Sequence, residues 1–358
     1  MVREGVRPSQ MSAATKTALI AKLSPQSCIV VETTSNAKTN GAALIAAYTA
    51  AKALTPNGEE LSATNRACVI IPPGNYDLDH GEDDACVPLT LDTEFVDIIG
   101  LTTDRSLQQI YGTPEATNSG VIVQTADDVH VSNLYVKILT EVESANWDDT
   151  DSAAYFPSTS LSNTVVDNCQ FDGQDGSNDE GPRLFSMRLY IEYSGTFNNC
   201  TGGNFAFGGA GGTASGTFTN CTGGGDAFGG GGTASGTFTN CTGGDYSFGG
   251  GTASGTFTNC TGGDYSFGGG GGTASGTFTN CTGGEAAFGG DSGTASGTFT
   301  NCTGGDYSFG GAGGTLSGQL YYCRLTTGSF QTLAEGGKLR ACVDGSDTFI
   351  ATLDYEAP

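Results

Sequence analysis

The stretch Thr233-Ala-Ser-Gly-Thr-Phe-Thr-Asn-Cys-Thr-Gly-Gly-Asp-Tyr-Ser-Phe-Gly-Gly250 recurs with small changes from Ser194 to Gly318, and its reading decides the fold. Cysteine sets the register: Cys200, Cys221, Cys241, Cys260, Cys281, Cys302, Cys323 and Cys342 follow one another at 21, 20, 19, 21, 21, 21 and 19 residues. A period near twenty with in-register apolar residues marks a solenoid in which each repeat is one coil stacked on the last. The length variation falls in one place. The run from each opening threonine to its cysteine is always 8 residues, and from that cysteine to the next phenylalanine always 7. Only the glycine link that follows changes, holding 5, 4, 3, 5, 5 and 5 residues, so it reads as a surface loop between pinned segments.

Within Thr213 to Cys221 the residues alternate. Ser215, Thr217 and Thr219 share one face, and Ala214, Gly216 and Phe218 the other, the period of two of a half-buried strand. In-register strands lie about 4.8 Å apart. Each position therefore faces its own copy, and Phe218, Phe238, Phe257, Phe278 and Phe299 with Cys221, Cys241, Cys260, Cys281 and Cys302 form internal ladders. Disorder is the competing reading, since 43 of the 58 glycines lie in these 125 residues, but disorder would not keep phenylalanine and cysteine in step. A calcium-loaded glycine-aspartate roll needs a nine-residue repeat, which is lacking.

The chain has 358 residues, 37% of them hydrophobic, enough for an extended core. Its net charge is −24, and no lysine or arginine occurs between Arg188 and Arg324. Such a surface repels phosphate backbones and anionic membranes, which excludes nucleic acid as an expected partner. No 18-residue apolar run marks a membrane span, and Met1 to Ile20 lacks the apolar core of a secretory signal. Stacked cysteines one strand spacing apart are farther separated than a disulfide prefers, so they read as buried free thiols from a chain folded in a cytosol. No cofactor motif is present, and without Cys-x-x-Cys, and with His80 and His130 far from the repeats, no metal site is expected among them.

Residues 1–35 read as a leader or docking segment carrying a short apolar strand at Cys28 to Val31. Asn40 is expected to cap a helix, Gly41 to Leu54, whose Leu44, Ile45, Tyr48 and Ala51 form an apolar stripe that plugs the coil's open end. Strands are expected at Ala67 to Ile71, Phe95 to Leu101, Val129 to Leu134 and Val165 to Cys169. The pairs Gly100-Leu101, Asn133-Leu134 and Asn168-Cys169 foreshadow the Asn-Cys of the repeats, so the coil begins before they do. The expected division is irregular coils over 36–190, regular repeats over 191–323, and a closing coil and cap over 324–358, all in one all-β parallel β-helix of about ten coils.

An asparagine-capped helix, then Val69-Ile-Ile-Pro-Pro-Gly-Asn-Tyr76, then Val96-Asp-Ile-Ile-Gly-Leu101 resembles the start of the pectate-lyase-like superfamily of right-handed parallel β-helices, which includes polygalacturonases and phage tailspikes. The resemblance covers about residues 36–140. The repeats behind it look more like phage and marine surface fibres than like the enzymes. What the resemblance implies is a right-handed, three-faced coil, a homotrimer as in tailspike relatives, and a virion or extracellular surface location.

Polysaccharide hydrolysis needs two carboxylates across a cleft. The candidates are Asp127 with Asp128 and Asp148 with Asp149, beside the acids Asp79, Glu82, Asp83 and Asp84. The Gly-His-Gly and Arg-x-Lys motifs of the polygalacturonase pattern are missing, and His130 lies in Val-His-Val. Asp172, Asp175, Asp179 and Glu180 are calcium candidates in an inserted loop, without EF-hand spacing. Trp147, the single tryptophan, is a candidate sugar platform. The expectation is a structural or adhesive appendage of a phage-like virion that contacts host glycans, because tandem identity serves length better than a unique cleft. The alternatives are a polysaccharide lyase or hydrolase, and an ice-binding solenoid using the outward Thr217/Thr219-type rows.

Overall fold

In the computed structural model the described residues are 27–114, 119–139, 152–157, 162–173, 184–187, 192–209, 211–311, 313–330 and 333–354. Thirteen strands, from Cys28–Val30 through Ala67–Ile71, Val96–Gly100, His130–Ser132 and Val165–Asp167 to Lys338–Val343, stack in parallel along one 16-stranded sheet. Each coil then turns a corner into a second face, which is a 5-stranded sheet over the irregular coils, and crosses to a third. That third face is a 4-stranded sheet early in the chain and a 7-stranded one, of Thr213–Ala214 type, in the repeats. The result is a helix-capped, multi-coil parallel β-solenoid, consistent with a right-handed β-helix, the sense that parallel connections adopt almost without exception.

Stacking explains the repeat residue by residue. Phe218, Phe238, Phe257, Phe278 and Phe299 are fully buried, with neighbouring rings 4.8–4.9 Å apart and nearly parallel. A second row, Phe207, Phe228, Phe248, Phe267, Phe288 and Phe309, stacks at 4.8–4.9 Å. It meets the first edge to face, as at Phe238–Phe248, 5.7 Å and 88°. Both geometries suit the ring quadrupole and add about 0.5–1.5 kcal/mol per pair beyond burial. Two phenylalanines per coil thus fill the core from both sides.

The corner between the first two faces depends on asparagine. Asn133, Asn168, Asn199, Asn220, Asn240, Asn259, Asn280 and Asn301 all have φ of 51–59°, a left-handed conformation that asparagine tolerates better than other side chains. The Asn240 amide donates to Asn220 Oδ1 at 3.0 Å, Asn259 to Asn240 at 3.0 Å and Asn280 to Asn259 at 3.0 Å, so each side chain pays the polar needs of the next. An isolated rung lies in the irregular coils, where Asn168 donates to Asn133 Oδ1 at 2.8 Å; Asn199 instead donates to Asp167 Oδ1 at 3.4 Å, and the continuous ladder starts with Asn220 on Asn199. Beside it, Cys221, Cys241 and Cys260 are buried free thiols that donate to the carbonyls of Phe197, Phe218 and Phe238 at 3.3–3.5 Å. Gly236 has no room for a side chain, because a Cβ there would run into the Gly216 carbonyl of the coil below. On the outer face Thr217, Thr237, Thr256, Thr277 and Thr298 pair in register.

Three details differ from the sequence reading. The helix spans Ala37–Ala51 and is capped by Asn36, whose side chain accepts from Thr39 N at 3.0 Å. Asn40 lies inside it and is buried: its amide donates to the Thr34 and Asn75 carbonyls at 3.1 and 3.0 Å, tying the helix to the first coil. The first sheet stacks thirteen parallel strands, more than about ten, and Cys28–Val30 is the first of them, paired with Ala67–Ile71. Finally, the separation argument against disulfides fails at that end. Cys28 and Cys68 are register partners bridged by a disulfide with their Cα atoms 4.5 Å apart. Among the described residues the strand Cys28–Val30 pairs with one neighbour, whereas the repeat cysteines are held between two coils.

The asparagine corner separates two contributions. Asn259→Gly removes the ladder bonds but keeps the left-handed turn cheap, whereas Asn259→Ala loses both. Urea denaturation is expected to show the alanine variant less stable than the glycine variant by about 1–2 kcal/mol. Equal stabilities would mean that the turn conformation contributes nothing.

Candidate functional site

The 5-stranded sheet is built from Gly74–Asp77, Gln108–Gly112, Tyr135–Ile138, Gln170–Asp172 and Thr201–Gly202. Strand alternation sends Tyr76, Ile110, Val136 and Phe171 inward, where all four are fully buried. The opposite face then carries two rows. Asn75, Gln109, Tyr135, Gln170 and Thr201 are register partners in one, and Asp77, Tyr111, Lys137 and Asp172 in the other. The outer face of this sheet thus combines tyrosines, amides, a lysine and carboxylates on adjacent strands.

These side chains are interlocked. Lys137 Nζ lies 5.4 Å from the Tyr111 ring centre and 5.6 Å from that of Tyr135, within cation–π range of both, and donates to Gln109 Oε1 at 3.2 Å. The Tyr135 hydroxyl donates to Asp172 Oδ2 at 2.5 Å, and Gln170 supports the same carboxylate at 3.0 Å. Burial, with the Asp172 carboxylate second, pushes the Tyr135 phenol up to about 12. Burial also raises Tyr111, helped by the charges of Asp77 and Asp79. Both phenols therefore keep their protons at ordinary pH, that of Tyr135 held on Asp172. One wall is the short turn Arg105–Leu107. Arg105 reaches over the corner to the Cys169 and Asn199 carbonyls at 2.7 and 2.9 Å and to Thr201 Oγ1 at 2.9 Å.

Of the paired-acid and calcium candidates singled out in the sequence, Asp127, Asp128 and Asp172 are among the described residues, and Asp172 alone belongs to this face. Asp127 Oδ1 accepts from Ser162 N at 3.0 Å, and Asp128, at φ 53°, accepts from the Asn163 amide at 3.3 Å. Both hold the turn before His130–Ser132. Asp172 is brought into the tyrosine face. Trp147, Asp148, Asp149, Asp175, Asp179 and Glu180 lie outside the described residues. Among the described residues no group of three or more His, Cys, Asp or Glu side chains is placed to hold a metal ion, and no helix is long and apolar enough to cross a membrane.

A second polar cluster lies on the long sheet. The Asp97 carboxylate accepts from Arg66 Nε at 2.9 Å and Nη2 at 2.5 Å and from His130 N at 3.0 Å. His130 Nδ1 stands 3.8 Å away, and Arg66 also covers the Phe95 ring at 5.5 Å. Asp97 occupies the outward row directly beside the Cys28–Cys68 bridge, since Cys68 is its register partner. With its carboxylate engaged by Arg66, this cluster ties the first coils together.

No protein-family model matches the chain, and no curated protein does. Among solved structures it is similar to a pectin methylesterase in complex with a hexasaccharide, at 10% identity over 71% of this chain and 74% of that one, with a TM-score of 0.30. It is also similar to pectin methylesterase PemA from Erwinia chrysanthemi, at 12% identity over 79% and 80%, with a TM-score of 0.31. A third similarity is to ORF18 of Geobacillus virus E2, at 9% identity over 96% of this chain and 64% of that one, with a TM-score of 0.38. Likeness at this level does not extend to activity.

The Arg66–Asp97 pair has a direct stability test. Arg66→Ala leaves a shielded carboxylate unpaired and is expected to cost about 3 kcal/mol in urea denaturation. Arg66→Met combined with Asp97→Leu should recover most of it. A harmless Arg66→Ala would show that the pair does not tie the coils.

Proposed function

We propose that the chain is a β-helical surface appendage that holds polysaccharide on its 5-stranded sheet face, in the manner of a virion or cell-surface fibre. The observation that carries this reading is the Tyr111–Lys137–Tyr135–Asp172 array. Sugar rings present apolar C–H faces and hydroxyl edges, and half-buried tyrosines beside amides and carboxylates meet both needs. The regular repeats support a spacer role, since their outer rows are threonine over successive coils and their inner rows serve packing. Assembly as a trimer of such rods belongs to the same reading.

One observation favours a polysaccharide-degrading activity as the second reading. A phenol hydrogen-bonded to Asp172, with the Lys137 ammonium over its ring, places a proton donor, an acid and a cation on one face. The same experiment addresses both readings. Purified protein is incubated with immobilised polysaccharides, retention is measured, and the supernatant is assayed for new reducing ends and unsaturated uronates. Tyr111→Ala and Tyr135→Ala are expected to weaken retention by about tenfold each, roughly 1.4 kcal/mol, while Thr256→Val on the long sheet leaves it unchanged. Release of fragments that stops in Asp172→Asn would establish the enzyme reading. Retention indifferent to both tyrosines would remove this face from either.

A further inference from the structure

We infer that the 5-stranded face selects uncharged oligosaccharides and excludes carboxylated ones, an inference that rests on the reading of this face as a glycan site. The argument is a charge inventory of the surface a ligand would touch. Its second row runs Asp77, Tyr111, Lys137, Asp172, so one cation stands between two carboxylates. Lys137 is already partnered on this face. Its ammonium is shared between two tyrosine rings and Gln109, and Asp172 is its register partner on the next strand.

The neighbouring cation is engaged as well. The Arg105 guanidinium directs its donors at two backbone carbonyls and the Thr201 hydroxyl. The Asp79 carboxylate lies beyond Asp77 at the rim, where it accepts from Thr113 N and Thr113 Oγ1 at 2.7 and 2.8 Å. A uronate arriving here would meet more negative than positive charge, on a chain whose net charge is already −24. Like charges at such spacing cost affinity and slow encounter.

What the face does offer is suited to neutral sugars. The amides of Asn75, Gln109 and Gln170 and the hydroxyl of Thr201 line the first row; Gln109, Gln170 and Thr201 already bond Lys137, Asp172 and Arg105, and their remaining donors and acceptors suit ring hydroxyls. Tyr111 and Tyr135 lie on adjacent strands and two positions apart along the strand direction, a diagonal pair of platforms. The row from Asn75 to Thr201 spans four strand intervals, about 19 Å, which fits an oligosaccharide lying along the solenoid axis and exceeds a single sugar.

The test uses the full chain and paired probes. Neutral glucan, mannan, galactan and xylan oligomers are titrated calorimetrically, each alongside its carboxymethylated derivative, at low and high salt. A neutral oligomer is expected to bind with little salt dependence, its carboxymethylated partner at least about tenfold more weakly, and Asp77→Asn with Asp172→Asn to narrow that gap. A carboxymethylated oligomer binding as tightly as its neutral parent, or a gap unmoved by the two substitutions, overturns the charge assignment. Absence of binding by every oligomer, with Tyr135→Ala no different from the parent, instead overturns the reading of the face as a glycan site.

Discussion

In-register stacking at one strand interval is the constraint on which the rest of this structure depends. Most side chains in the regular coils face a copy of themselves above and below, so only residues compatible with their own neighbour can occupy such a position. Phenylalanine stacks on phenylalanine at 4.8 Å, and asparagine both donates to and accepts from asparagine. Glycine appears where a Cβ would strike the next carbonyl, as at Gly236. Lysine and arginine are missing from this stretch, and the acids that do occur are partly offset by backbone donors: Asp245 Oδ1 accepts Asp264 N at 2.8 Å, and Asp264 Oδ1 accepts Glu285 N at 2.7 Å.

The same constraint separates structure from recognition. A row of identical residues offers a ligand many equivalent positions and no distinct one. Distinct chemistry arises where successive coils differ, and that is the case along Asp77, Tyr111, Lys137 and Asp172. There the coil-to-coil contacts become heterologous: an ammonium between two rings, a phenol on a carboxylate, an amide on the ammonium. The irregular coils keep the inward apolar alternation that the solenoid needs and vary only the outward positions.

Much of this was legible in the sequence because self-stacking imposes a period. Phenylalanine and cysteine in step gave the coil, and Asn133 and Asn168 traced it back before the repeats. The tyrosine–lysine face was not legible, because its members come from strands of four or five residues separated by loops of unequal length. Gln109-Ile110-Tyr111 and Tyr135-Val136-Lys137 announce alternation, but only the register between coils shows which outward residues meet. The helix cap was misplaced for a related reason. Asn36 and Asn40 are both plausible caps one turn apart, and it is the contact of Asn40 with the Asn75 carbonyl, a tertiary feature, that puts it inside the helix. Asp97 in Phe95-Val-Asp-Ile-Ile likewise looks out of place until Arg66 and His130 are brought to it.

The direction of the hydrogen bonds has a mechanical consequence. In this solenoid the backbone bonds between coils, and the asparagine bonds beside them, run along the long axis of the rod. A pull along that axis opens them one coil at a time, whereas a sideways load must shear a whole set together. Each regular coil released adds about 20 residues of slack, up to roughly 70 Å of extended chain. Extension under such a load is therefore stepwise, one coil at a time from an end. The helix and the Cys28–Cys68 bridge at one end, and the antiparallel Phe349–Asp354 strand at the other, are the latches that such a load meets first.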